Sequence, residues 1–168
     1  AKTVLESILG GYFVLELSEE LQTEKLTGYI PVCTRREALQ QVAFALRAVM
    51  DTSGTGNVKV WRLSEETPTE IPMNRLYVGG EVSQSAIVTE VRVTAHTYST
   101  SGSGSDTVKV DGKTYYHTEA VTTKTNPNVT ASTKPNVIEV KDATLVNTSN
   151  VAAVTQHVFD YYMRRQTH

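Results

Sequence analysis

At 168 residues and 18.5 kDa, the chain can bury the core of one full-sized domain, or of two small ones sharing a boundary, and is too short for a multidomain machine. Its 16 basic and 18 acidic residues leave a formal net charge of -2, so no charge excess draws it to nucleic acid or an anionic membrane. No apolar run approaches the ~18 residues that a membrane span requires, and the single cysteine, Cys33, excludes an internal disulfide while leaving the compartment open. The chain opens at Ala1 without a charged-then-apolar leader, as expected of a piece trimmed from a longer protein.

Residues 3–9 are spaced as a short amphipathic helix closed by Gly10-Gly11, and residues 12–17 follow as a candidate strand. Thr34-Arg35-Arg36-Glu37 sets a hydroxyl three residues ahead of a carboxylate, so each side chain can satisfy an orphan N–H of a first helical turn. Behind this capping box Leu39, Val42, Ala43, Leu46, Val49 and Met50 recur at three- and four-residue spacing, widened by Phe44 and Ala45. The helix is expected to run to about residue 51 and to end at the glycine-rich turn 53–57, before an alternating strand over 58–63.

Residues 65–72 are polar and twice interrupted by proline, the composition of a connector. Of the 24 threonines, most lie from Thr67 onward, alternating with polar residues as half-exposed strands do. Residues 87–98 alternate, with Ile87, Val91, Val93 and Ala95 on one face and Glu90, Arg92, Thr94 and His96 on the other. The Ser/Gly tract 100–105 is expected as a flexible loop tip. Asp111-Gly112 centres a two-residue hairpin within 108–116. Further strands are expected near 118–123 and 137–146. Asn147-Thr148-Ser149 then offers N-caps for a helix whose face carries Val151, Val154, Val158, Tyr161 and Tyr162, with Arg164 and Arg165 near its end.

The expected fold is therefore α+β: mixed or antiparallel sheets, two main amphipathic helices at about 34–51 and 148–165, and a long hairpin-rich β region between them. A helix-turn-strand subdomain over 1–66 and a β-rich region over 67–168 are expected, joined near the connector or merged into one compact domain.

Catalytic constellations mostly fail on spacing. Gly112-Lys113-Thr114 ends like a phosphate loop, but the glycine needed five positions earlier is Thr107, and the triplet sits in a hairpin. Gly54-Thr55-Gly56 lacks a third glycine and precedes a strand, so no dinucleotide fingerprint is present. The histidines are His96, His117, His157 and His168, with no pair at metal-ligand spacing. A folded site from His96 and His117 with Asp111 or Glu119 is conceivable if their strands are neighbours, but surface or half-buried histidines are the reading preferred. Cys33 precedes a helix N-terminus, where a thiolate would be stabilised, and is read instead as a small apolar residue at a junction. No Gly-x-Ser-x-Gly elbow occurs. No catalytic, cofactor-binding or metal-ligating residue is assigned. Aromatic pairs Tyr115-Tyr116 and Tyr161-Tyr162 are the candidate partner contacts, since adjacent residues on a strand, or at a helix end, can leave one ring exposed.

Two stretches resemble the hub, or baseplate-hub-like, proteins of bacteriophage tails in phages and prophages of Gram-positive bacteria. The first runs from Leu26-Thr27-Gly28-Tyr29-Ile30-Pro31 through Arg36-Glu37-Ala38-Leu39-Gln40-Gln41 and Val49-Met50-Asp51-Thr52 to Val58-Lys59-Val60; it is similar to a GYIP segment, REALQQ helix and strand of that family. The second runs from Asn136-Val137-Ile138-Glu139-Val140 through Thr144-Leu145-Val146 and Asn150-Val151-Ala152 to Tyr161-Tyr162-Met163-Arg164-Arg165. Between them the likeness is loose, through residues 88–94. The resemblance implies a non-enzymatic virion part, made in the bacterial cytoplasm and built into the tail. It implies no cofactor, other tail proteins as partners, and self-association into a trimeric ring in the full-length parent. It also implies that this chain is an internal region without its flanking β-barrels. Two other readings stand beside it: a cell-wall carbohydrate or receptor-binding module presenting Tyr115, Tyr116 and the Ser/Gly loop, and a hydrolase built from scattered Ser, His and Asp.

Overall fold

A computed structural model describes residues 1–63, 87–104 and 106–163. The described residues form α1 (Lys2–Leu9), β1 (Val14–Leu17), α2 (Glu19–Gln22), α3 (Arg35–Leu46), β2 (Val49–Asp51), β3 (Asn57–Trp61), β4 (Glu90–Ser99), β5 (Asp106–Val110), β6 (Lys113–Thr125), β7 (Val137–Val140) and α4 (Val151–Met163). The class is α+β with mixed sheets, as expected. The connector at 65–72, the boundary at 66/67, Ser105, Arg164, Arg165 and His168 lie outside the described residues.

Two sheets organise two cores. In the first sheet, ordered β1-β3-β2, β1 runs parallel and β2 antiparallel to the central β3. Val58 and Val60 of β3 bury one face against Leu5 and Leu9 of α1, Leu21 of α2, and Val42, Ala45 and Leu46 of α3. Each fully buried Leu or Val of this kind contributes roughly 1.5–3 kcal/mol of transfer free energy. The second sheet is ordered β5-β6-β4-β7, antiparallel except for the parallel pair β4–β7. Val91, Val93 and Ala95 of β4 pack there against Val151, Val154, Val158 and Phe159 of α4.

The expected capping box is present: Thr34 N–H donates to Glu37 Oε2 at 2.8 Å and Glu37 N–H to Thr34 Oγ1 at 3.2 Å. The helix behind it, however, stops at Leu46 and not near 51. Arg47 turns left-handed at φ 56, its N–H closing on the carbonyls of Ala43 and Phe44. Val49 and Met50, expected on the helical stripe, instead form β2 opposite Trp61 and Val60. The glycine-rich turn therefore joins two strands and does not cap the helix. At the other end, the strand expected over 137–146 leaves the sheet after Val140. The Lys141 carbonyl is taken by the His96 ring, and residues 142–146 turn locally through Thr144 N–H to Asp142 O and Val146 N–H to Ala143 O.

The hairpin at Asp111-Gly112 forms as expected, with positive φ at both residues (49 and 75), the geometry that suits the twist of its strands. It opens into one 13-residue strand, β6, longer than the separate pieces expected. Ile87 precedes β4 and is exposed, so it does not join the apolar face. Within the expected loop tip, Gly104 lies against β6: a Cβ there would meet the His117 carbonyl oxygen at 2.5 Å. No helix of the described residues is long and apolar enough to cross a membrane.

The two cores interlock through the stretches at 26–46 and 136–151. Gly28, at φ 150, lies so close to the chain at Thr144 and Leu145 that a Cβ would stand 2.5 Å from the Thr144 carbonyl oxygen. Asn147 Nδ2 donates to the Thr27 carbonyl at 2.9 Å and Gln41 Nε2 to that of Asp142 at 3.0 Å. Leu145 belongs to the first core, and Phe44 of α3 packs against the second.

Candidate functional site

Alternation along an extended chain puts Glu90, Arg92, Thr94, His96 and Tyr98 of β4 on the face opposite its valines. The antiparallel register then sets His96 against Glu119 and Tyr98 against His117 of β6. Four chemistry-bearing side chains thus share one patch of one sheet face. His96 is 4% exposed, which corrects the expectation of surface or half-buried histidines; His117 is half-buried, as expected, and Glu119 is exposed. Burial of His96 follows from the segment after β7, whose Lys141 carbonyl lies 2.7 Å from His96 Nε2.

That contact fixes a tautomer. A carbonyl only accepts, so His96 Nε2 carries the proton, and in the neutral ring the lone pair is left on Nδ1. Nδ1 faces His117 Nε2 at 2.9 Å and Glu119 Oε1 at 3.6 Å, and His117 Nε2 lies 3.8 Å from the same oxygen. The two imidazole centroids are 5.1 Å apart with planes inclined by 12°. Because this is nearly the longest separation that a 2.9 Å N···N contact and two ring radii permit, the rings meet edge to edge, close to coplanar. Tyr98 lies parallel to His117 with centroids 4.8 Å apart, and Tyr29 meets Tyr98 edge-on at 6.1 Å. Burial, and secondarily the charge of Glu119, pushes the Tyr98 hydroxyl above its ordinary pKa, so it stays protonated at neutral pH.

Farther along the face, Glu90, Arg92, Glu139 and Lys141 form a chain of ion pairs. Hydrogen bonding and the charge of Lys141 hold the Glu139 carboxyl below its ordinary range. These pairs are solvent-exposed, where screening and the cost of ordering two side chains leave an ion pair little net stabilisation.

The residues expected as partner contacts divide into two kinds. Tyr115 and Tyr116 are half-buried within β6, opposite Val108 and Thr107 of β5, so neither ring is freely presented. Tyr161 and Tyr162 leave the buried stripe of α4 at its end: they are 57% and 42% exposed and meet edge-on at 5.2 Å. Asp111 sits in the hairpin turn and is not among the converging donors; Glu119 takes that place. Cys33 is exposed and directly precedes Thr34, the N-cap of α3. Sequence reasoning passed over the exposed run Tyr12, Phe13 and Val14 leading into β1, an edge strand of the first sheet. Three consecutive large apolar residues were the available signal. It was masked because a strand there is expected to bury every second residue.

Compared with family models, with curated proteins and with solved structures, the chain matches none.

Proposed function

We propose that the chain is a structural component of a phage or prophage tail, hub- or baseplate-like, which acts through protein–protein contacts and not through catalysis. The observation that carries this reading is the interlock of the two stretches that resemble the family. Gly28 of the first closes on Thr144 and Leu145 of the second, Asn147 donates to the Thr27 carbonyl, and Gln41 donates to that of Asp142. The residues that carry the resemblance are thus residues that hold the framework together, as expected of a part whose function is its shape. The exposed edge at Tyr12, Phe13 and Val14 and the exposed Tyr161-Tyr162 pair supply apolar surface of the kind that an assembly contact buries.

Sedimentation velocity of the intact parent protein over a concentration series tests the proposal. A closed oligomer, with the trimer as the expected species, supports it. A parent that stays strictly monomeric at the highest concentration, in particular one that retains a cell-wall glycan as a monomer, overturns it.

A further inference from the structure

The convergence of His96, His117 and Glu119 is not accounted for by an assembly role: Lys141 and His117 already satisfy the two ring nitrogens of buried His96, yet a carboxylate oxygen of Glu119 also comes to the point where the two imidazoles meet. The separations among the three donor atoms are 2.9, 3.6 and 3.8 Å. Two tetrahedral ligands at ~2.0–2.1 Å from one zinc ion stand about 3.3 Å apart, so the triangle already has the dimensions of a metal face. We propose that His96 Nδ1, His117 Nε2 and Glu119 Oε1 form a binding site for a divalent transition metal of the zinc class.

The donor set selects the class: two imidazole nitrogens and one carboxylate suit zinc and its neighbours, whereas calcium and magnesium take oxygen ligands. His96 is the anchor. Its Nε2–H is tied to the Lys141 carbonyl, the outer-shell contact that orients a metal-ligating histidine and leaves the other nitrogen basic. Without metal, the neutral pair is joined by one proton, His117 Nε2–H donating to His96 Nδ1. A metal ion takes the place of that proton when His117 changes tautomer: the proton passes from Nε2 to Nδ1 by way of solvent, the ring stays neutral, and Nε2 presents its lone pair to the ion. The ion sits off the N···N line toward Glu119, so the nitrogens part from 2.9 Å to about 3.3 Å. The required movement falls on the two more exposed partners, His117 and Glu119, while His96 stays fixed. Because Glu119 faces solvent, the fourth tetrahedral position opens outward to water. This assignment does not depend on what the chain assembles with.

The test is titration calorimetry of the 168-residue chain, first stripped with chelator, using zinc chloride as the probe. One equivalent is expected to bind, and cobalt(II) in its place should show the intense visible bands of a four-coordinate ion. Glu119→Gln, at an exposed position that the fold does not rely on, should weaken zinc binding by about tenfold or more, and His117→Asn by a larger factor. His157→Asn, remote in sequence and exposed on α4, should leave the affinity unchanged. Should His117→Asn fail to fold, the wild-type ring proton signals decide: zinc must shift those of His96 and His117 before those of other histidines. No stoichiometric zinc uptake, or uptake with equal affinity by wild type and Glu119→Gln, overturns the assignment and leaves the trio as a hydrogen-bonded packing element.

Discussion

Replacing Gly28 by alanine tests the contact on which the interlock rests. Two costs add at that position. A φ of 150 is one that residues with a Cβ avoid, at about 1–3 kcal/mol of backbone strain. The new methyl would also stand 2.5 Å from the Thr144 carbonyl oxygen and 3.1 Å from two Leu145 atoms, and the first of these is backbone that cannot rotate away. Relieving such an overlap costs roughly 1–3 kcal/mol. The sum is about 2–6 kcal/mol, a large part of the ~5–15 kcal/mol that stabilises an ordinary domain. For a chain of this length each kcal/mol lowers the melting temperature by roughly 2–4 °C, so Gly28→Ala should melt well below the wild type. Gly56→Ala is the control. It too has a positive φ, 81, yet nothing lies within 4 Å of the added methyl, so only strain of about 1–2 kcal/mol remains. Urea denaturation of both variants gives the difference. If Gly28→Ala loses no more stability than Gly56→Ala, the close approach of the two stretches is wrong, and the structural support for the proposed function falls with it.

Thr34→Ala removes the acceptor for Glu37 N–H at the start of α3 and should cost about 1 kcal/mol in urea denaturation. The Glu37 carboxyl is held below its ordinary pKa by the N–H and hydroxyl of Thr34. Its contribution is therefore complete above the unfolded value of ~4.3 and is lost as pH falls through the lower folded value. The stability gap between wild type and Glu37→Ala should close on acidification, and a gap that widens would contradict the cap. The double variant Tyr161→Ser, Tyr162→Ser should change folding stability by no more than about 0.5 kcal/mol, because both rings are exposed. It should weaken any self-association seen by sedimentation, and unaltered association would remove this pair from the contact surface.

What could be read in the sequence was local. Gly10, at φ 63, ends α1 where its position after an apolar helix requires, and its N–H bonds the Glu6 carbonyl. The Thr34–Glu37 box and the Asp111-Gly112 hairpin needed only near neighbours. Where tertiary partners decided the outcome, the local pattern misled. Val49 and Met50 fit a helical stripe as well as a strand, and only pairing with Trp61 and Val60 of β3 selects the strand. Residues 141–146 alternate well enough for a strand, but the Lys141 carbonyl finds a better partner in a histidine 45 positions away.

The histidine patch shows the same limit in a sharper form. Period-two alternation alone puts His96 with Tyr98 on one side of its strand and His117 with Glu119 on one side of theirs. Which of them meet depends on the β4–β6 register, and no tight turn sets it, because β5 and its hairpin lie between the two strands in sequence. A slip of one residue would turn His117 and Glu119 to the face that α4 covers. A slip of two would bring His117 directly opposite His96 and carry Glu119 one pair farther off. The register is held instead where β6 ends beside the start of β4: buried Asn126 donates its backbone N–H to the Thr89 carbonyl and its side-chain Nδ2 to that of Val88, each at 2.9 Å. Zinc titration of the wild type and Glu119→Gln therefore also tests which face of β6 meets His96, since a slip of one residue would carry two of the three donors to the other side of the sheet.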